Sequence, residues 1–252
     1  MKPKTLQTLY IIGGIGLLPF APFLYWQGQR VRRRIGKLPD AGGATVGTFG
    51  EYQETVNLLA IGESTVAGVG AKNHAEALTG QLAKYLSLEL KKSVCWHVLG
   101  ESGITVGETV KRLAPDLPKT AMDFVVVALG GNDTFKISSP NRWRNGMTKL
   151  IEILREKYPN AVILLANTPR VMDFTALPKT LKIILWRVSH LHHENAKTLA
   201  NEYENVFYYD EAGAVADGFF ADGVHPSPHG YALWSEAMIA FLTRKMREKT
   251  GR

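Results

Sequence analysis

At 252 residues, with 45% hydrophobic and 21% charged residues, the chain is long enough for one substantial folded domain and too short for two large ones. Its net charge of +7 does not describe a basic groove. Lys2, Lys4, Arg30, Arg32, Arg33, Arg34 and Lys37 supply the whole excess, and the remaining 23 basic residues meet 23 acidic ones. Nothing in the charge distribution supports a nucleic-acid partner, and none is expected. The single Cys95, inside VCWHV, rules out an intrachain disulfide and reads as a buried, inert thiol.

The chain opens on an apolar segment. No charge interrupts Thr5 to Gln29, and Leu9 to Trp26 is an 18-residue apolar run, the lower limit for a transmembrane helix. Tyr25 and Trp26 stand where interfacial aromatics belong, with the arginine cluster behind them. Residues 5–29 are therefore expected to be a single-pass membrane anchor within a unit 1–37, kinked at Pro19 and Pro22, rather than a cleaved signal peptide. A re-entrant or interfacial segment is the alternative. Two lysines precede the span and five basic residues follow it, which favours a cytoplasmic catalytic domain; export behind the anchor is the other topology. Residues 38–54, glycine-rich and without periodicity, read as a linker into a domain over 55–252.

Beyond the linker, strand-like runs at 56–61, 94–99, 124–129, 161–166 and 206–209 alternate with helical patterns near 74–91, 105–114, 141–157, 180–202 and 228–248. FVVVAL and AVILLA lack alternation, as strands buried on both faces do. The pattern predicts an α/β fold with an open five-stranded parallel sheet and helices on both sides. Ligands of such sheets bind beyond the carboxyl ends of the strands. That rim would carry Gly62-Glu63-Ser64, Gly100 to Gly103, Gly130 to Asp133, and Asn167 to Arg170.

Ser64, in LLAIGESTVAGVG, satisfies no phosphate-binding pattern. The Walker lysine and the third glycine of the dinucleotide fingerprint are missing, and Val66 replaces the second glycine of a nucleophile elbow. By itself it could be a helix cap. The far end of the chain adds Asp222 and His225, three residues apart in ADGVHPSPHGY. A serine nucleophile needs an adjacent base, and the base needs an orienting carboxylate. Asn132, at the end of a buried strand, could donate to a developing oxyanion together with the N–H groups of Ser64 and Gly103. Taken alone, Asn132 is a turn residue.

GES (62–64), Gly103, GGND (130–133) and DGVHPSPHGY (222–231) together resemble the four sequence blocks of the SGNH/GDSL hydrolases, in the family's order and over most of residues 56–245. The resemblance implies a flavodoxin-like α/β/α sandwich and ester hydrolysis by a serine, with no metal or cofactor. It implies Ser64 as nucleophile, His225 as base, Asp222 as its partner, and Ser64, Gly103 and Asn132 as the oxyanion hole. Two positions depart from the pattern: Glu63 stands where the family has aspartate, and Val98 where the second block often has asparagine.

The apolar stretch Val171 to Val188 is either a lid or acyl-chain wall, or a core-facing helix. Arg170 would meet an anionic headgroup or a surface acid. An anchor beside an esterase site favours lipid or lysophospholipid esters, with short O-acetyl esters of carbohydrates as the alternative and an inactive tethered binding module as the rival class. His190, His192, His193 and Glu194 lack a water-activating motif and read as solvated helix surface rather than a metal site.

Overall fold

The computed structural model describes residues 1–35, 38–211, 213 and 215–251, without the side chains of Arg32, Arg34, Ile35 and Thr250. Lys37 and the side chains of Arg32 and Arg34, part of the expected basic flank, lie outside the described residues. The centre of the molecule is set by β4 (Phe124–Ala128), FVVVA, buried along its whole length. Around it stand β1 (Val46–Phe49), β2 (Thr55–Gly62), β3 (Ser93–Gly100), β5 (Val162–Leu165) and β6 (Val206–Tyr208), in the order β1-β3-β2-β4-β5-β6.

Successive side chains of a strand point to opposite faces. Leu59, Ile61, Val125, Val127, Ile163 and Leu165 fall in one core, with residues of α4 (Val106–Arg112), α6 (Pro140–Lys157) and α7 (Lys179–Ala200). Leu58, Ala60, Val94, Val126, Ala128 and Leu164 fall in the other, with α3 (Leu78–Leu90) and α8 (Pro228–Thr250). The five parallel strands β2 to β6 follow the doubly-wound order of a flavodoxin-like sheet, whose direction of winding switches between β2 and β4. The segments leaving those two strands carry Ser64 and Asn132.

The sheet has six strands rather than the expected five. β1 pairs antiparallel with β3, from Val46 opposite His97 to Phe49 opposite Val94. It lies inside the stretch read as a linker, which is thus partly built into the sheet. Gly47 permits this pairing, since a Cβ there would stand 2.4 Å from the Trp96 ring.

The N-terminal segment forms α1 (Pro3–Leu17), a 3₁₀ turn at Leu18–Phe20 holding Pro19, and α2 (Ala21–Ile35). Its stretch Pro3–Val31 is helical, long and apolar enough to cross a membrane. It also touches the domain. Leu6 is buried, Tyr10 Oη donates to Ile137 O at 2.8 Å, and Thr180 Oγ1 donates to Gln27 Oε1 at 2.7 Å. Val31 packs on Val171, Phe174, Leu177 and Leu185.

Candidate active site

Ser64 follows β2 directly. Gly62 leads into the turn because a Cβ there would sit 2.2 Å from Ala128 O of β4. The turn is closed by Val66 N–H and Ala67 N–H donating to Glu63 O, and by Val69 N–H donating to Ser64 O. Tyr231 of α8 donates its hydroxyl to Val69 O at 2.7 Å, tying the serine loop to the helix that follows His225. Gly70, at φ +98°, approaches Pro226 so closely that a Cβ would stand 2.2 Å from its carbonyl oxygen. The loops that carry Ser64 and His225 therefore support one another.

Asp222 and His225 are joined as their spacing suggests. Asp222 Oδ1 accepts from Val224 N–H at 2.9 Å and from His225 N–H at 2.7 Å, and Oδ2 lies 2.8 Å from His225 Nδ1. Burial alone would raise the Asp222 carboxyl. The hydrogen bonds from the His225 ring and backbone, the ring's charge and the Val224 N–H outweigh it and hold the carboxyl below its ordinary value. An ionised carboxylate only accepts, so Nδ1 donates to it, which in the neutral ring leaves the Nε2 lone pair free. Among the described residues Ser64 Oγ has no hydrogen-bond partner, and catalytic hydrogen bonds often tighten only when a ligand is bound.

The residue spelled differently from the family, Glu63, has a defined place. It is buried, and its carboxylate caps the short helix α5 (Gly131–Phe135): Oε1 accepts from Gly131 N–H at 2.6 Å and Oε2 from Asn132 N–H at 2.7 Å. Oε2 also accepts from Asn132 Nδ2. Gly131 lets the carboxylate approach this closely, since a Cβ there would lie 2.9 Å from Oε1 and push it away. Burial pushes the Glu63 carboxyl up to about 7, against the backbone hydrogen bonds from Asn132 and Gly131 and with added repulsion from Asp133. The second hydrogen of the Asn132 amide is donated to Ile104 O at 3.1 Å. Both donors of Asn132 are thus engaged in the resting state, and the neutral Ile104 carbonyl holds the weaker of the two bonds. Asp133, also buried, accepts from Val106 N–H at 2.8 Å and fixes α4 beside the site.

Ser64, Gly103, Asn132, Asp222 and His225 all line one cavity of about 2300 Å³. Gly103 has φ +85°, which needs glycine, and its carbonyl accepts from Lys136 Nζ at 3.1 Å. Phe174, Leu177, Leu181, Ile184 and Leu185 form an apolar wall, while Leu185 and Val188 are also buried. The stretch Val171 to Val188 is thus wall on one side and core on the other. Arg170 Nε donates to Asp173 Oδ2 at 2.6 Å.

Two other readings are corrected. Cys95 is only half-buried, with Sγ 3.7 Å from His97 Nε2. His192 is not solvated surface: it is 0% exposed, stacks on Trp143 at 5.3 Å between centroids, and lies 3.0 Å from Ser138 O through Nε2. His193 shares a hydrogen bond with Tyr208 Oη at 2.8 Å. Among the described residues no three metal-ligating side chains converge.

No curated protein matches the chain in sequence. Solved structures match its fold. TesA is 21% identical, with a TM-score of 0.58 over 74% of this chain and 99% of that one. The psychrotrophic esterase EstA from Pseudoalteromonas sp. is 17% identical, with a TM-score of 0.57 over 76% and 98%. A family 3 carbohydrate esterase from Clostridium thermocellum is 19% identical, with a TM-score of 0.56 over 76% and 98%. Residues 60–233, which run from β2 through the Asp222–His225 turn into α8, match the GDSL-like Lipase/Acylhydrolase family, and the chain belongs to it.

Proposed function

We propose that the protein is a membrane-associated serine hydrolase that cleaves carboxylic esters, with lipid or lysophospholipid esters as its substrates. The observation that carries this reading is the meeting of Ser64, the Asp222–His225 pair and Asn132 on one cavity with an apolar wall. His225 Nε2 takes the Ser64 proton as Oγ attacks the ester carbonyl. Asp222 holds the imidazole tautomer and stabilises the imidazolium. The oxyanion is held by the N–H groups of Ser64 and Gly103 and by Asn132, whose amide exchanges Ile104 O for the substrate oxygen. His225 then protonates the leaving alcohol. Water, activated by the same ring, hydrolyses the acyl-Ser64 ester and restores the serine.

Residues 5–29 tether the protein to the membrane, and the excess of basic residues behind them favours the domain on the cytoplasmic side. A reporter fused at the C-terminus reads that topology. The second reading, a short-chain carbohydrate O-acetyl esterase, is supported by the fold shared with the Clostridium thermocellum enzyme. An inactive tethered module is opposed by the presence of all four site residues. Purified full-length protein is expected to hydrolyse p-nitrophenyl acyl esters, and Ser64→Ala and His225→Ala each to abolish turnover. Full activity in a folded Ser64→Ala protein would overturn the assignment.

A further inference from the structure

The N-terminal arm has one face toward the domain. Leu6 is buried and Tyr10, Leu17, Leu24 and Val31 are half-buried; of the residues between them Gln7, Gln27, Gly28 and Gln29 are half-buried too, and the rest are exposed. Steps of four and seven residues place these five on one helical stripe. Gly14, Ala21 and Gly28 come four residues after Tyr10, Leu17 and Leu24, beside the same stripe, Gly14 and Ala21 exposed and Gly28 half-buried. A Cβ at Gly14 or Gly28 would meet nothing within 4 Å. Neither glycine has a positive φ, so neither the backbone nor close packing calls for it. Glycine inside a helix costs about 1 kcal/mol relative to alanine. What the small residues leave is space: Gly14, Leu17, Ala21, Leu24 and Gly28 line the same cavity as Ser64 and His225.

That cavity, about 2300 Å³, exceeds the roughly 300–1,000 Å³ of ordinary small-ligand sites. Its opposite wall is α7, through Leu181 and Ile184. Ile12, Ile15 and Leu18 border the cavity as well, while Phe20, Phe23 and Trp26 are exposed and stand off it. An apolar slot thus runs from the nucleophile to a helix whose far side is itself suited to lipid. We infer that the slot between the arm and α7 is the channel for the long acyl chain of the ester, and that Gly14, Ala21 and Gly28 set the length it admits. The inference rests on the serine-hydrolase reading and goes beyond it. In this reading the arm lies along the domain as an interfacial anchor and a wall of the substrate site at once, and the small residues that set chain length lie outside the family-matched segment 60–233.

The test is a p-nitrophenyl ester series from acetyl to palmitoyl with detergent-solubilised full-length protein, comparing wild type with Gly14→Leu and Gly14→Trp. Wild type is expected to cleave the long esters. The palmitoyl-to-acetyl ratio of kcat/KM is expected to fall at least about tenfold in Gly14→Trp, the equivalent of lost contacts for two methylenes, and by less in Gly14→Leu. An unchanged ratio in both variants overturns the channel, as does a wild-type enzyme that cleaves acetyl but no long ester. Acetyl-ester cleavage lost in Ser64→Ala keeps the hydrolase reading standing in either case. Loss of every activity in Gly14→Trp marks misfolding, and the ratio in Gly14→Leu then decides.

Discussion

The two walls of the cavity are built by opposite means. On the domain side, the polar groups around the proposed nucleophile are held by short hydrogen bonds: Asp222 grips His225 and its own turn, and Glu63 grips Asn132 and the start of α5. On the arm side, contact is intermittent, pinned by polar contacts at Met1, Gln7, Tyr10 and Gln27 and by apolar ones at Leu6 and Val31, with gaps between. A reacting centre tolerates little displacement, because a shift of about 1 Å can cost 10²-fold in rate. A hydrocarbon chain needs only volume and the exclusion of water. The contrast teaches that changes on the domain side should act on kcat for every ester, and changes on the arm side on which ester is accepted.

The largest expected effect is at Asp222. Asp222→Asn leaves a neutral amide against Nδ1 and permits the wrong tautomer, so kcat should fall about 10⁴-fold for acetyl and palmitoyl esters alike. A loss confined to long esters would break the comparison. Asn132→Ala should cost about 10²–10³ in kcat, again independent of chain length. Glu63 acts through Asn132 as a positioning residue, so Glu63→Ala should cost less than Asn132→Ala and add almost nothing in the double variant. Additive losses, measured as kcat in a double-mutant cycle, would show that Glu63 does something other than hold that amide.

Much of the domain side was legible in the sequence because its signals are local. FVVVA is short, β-branched and without alternation, the pattern of a strand buried on both faces, and Asp222 meets His225 across a single turn. Glu63 was visible as a departure, but its partner lies 68 residues away, so the cap it forms on α5 was not. β1 escaped notice because it is a mostly exposed edge strand whose partner is β3 and whose Gly47 resembles linker composition. His192 was misread because neighbouring histidines suggested a solvated patch. Its three-residue spacing from Ser189 and Asn195, both buried, was the available sign of an inward face. The arm posed a harder problem: an apolar run has the same composition whether it faces lipid or a slot. The seven-residue recurrence of Tyr10, Leu17, Leu24 and Val31 was the signal that one face differs.

α7 belongs to both regions, with its front in the cavity and His192 at its back, and the back can be tested separately. Burial pushes His192 down to about 4 from 6.5, with the Ser138 carbonyl opposing. The unfolded chain therefore takes up the proton first as the pH falls. The contribution of His192 to folding stability drops progressively from about pH 6.5 to about pH 4 and levels off below, a loss of about 3 kcal/mol in all at 1.36 kcal/mol per pH unit. His192→Gln should remove that part of the pH dependence while leaving the chain-length ratio unchanged. Denaturant titrations at pH 7, 5.5 and 4 measure it. An equally steep acid loss in the variant would assign it to other groups.

The smallest effect is expected at the arm's own pin. Tyr10→Phe removes the hydrogen bond to Ile137 O and leaves the ring in place. A bond of that kind is worth about 0.5–1.5 kcal/mol, so the arm should lift from the domain roughly two- to tenfold more often. Amide exchange over residues 5–17 should quicken by that factor, while exchange in β4 and the denaturation midpoint stay as they are. If the slot is the acyl channel, the palmitoyl-to-acetyl ratio should fall slightly with it, because a lifted arm no longer covers the chain. Faster exchange in β4 as well would mean that the arm is integral to the core, and the division between a rigid reacting wall and an adjustable lipid wall would fail.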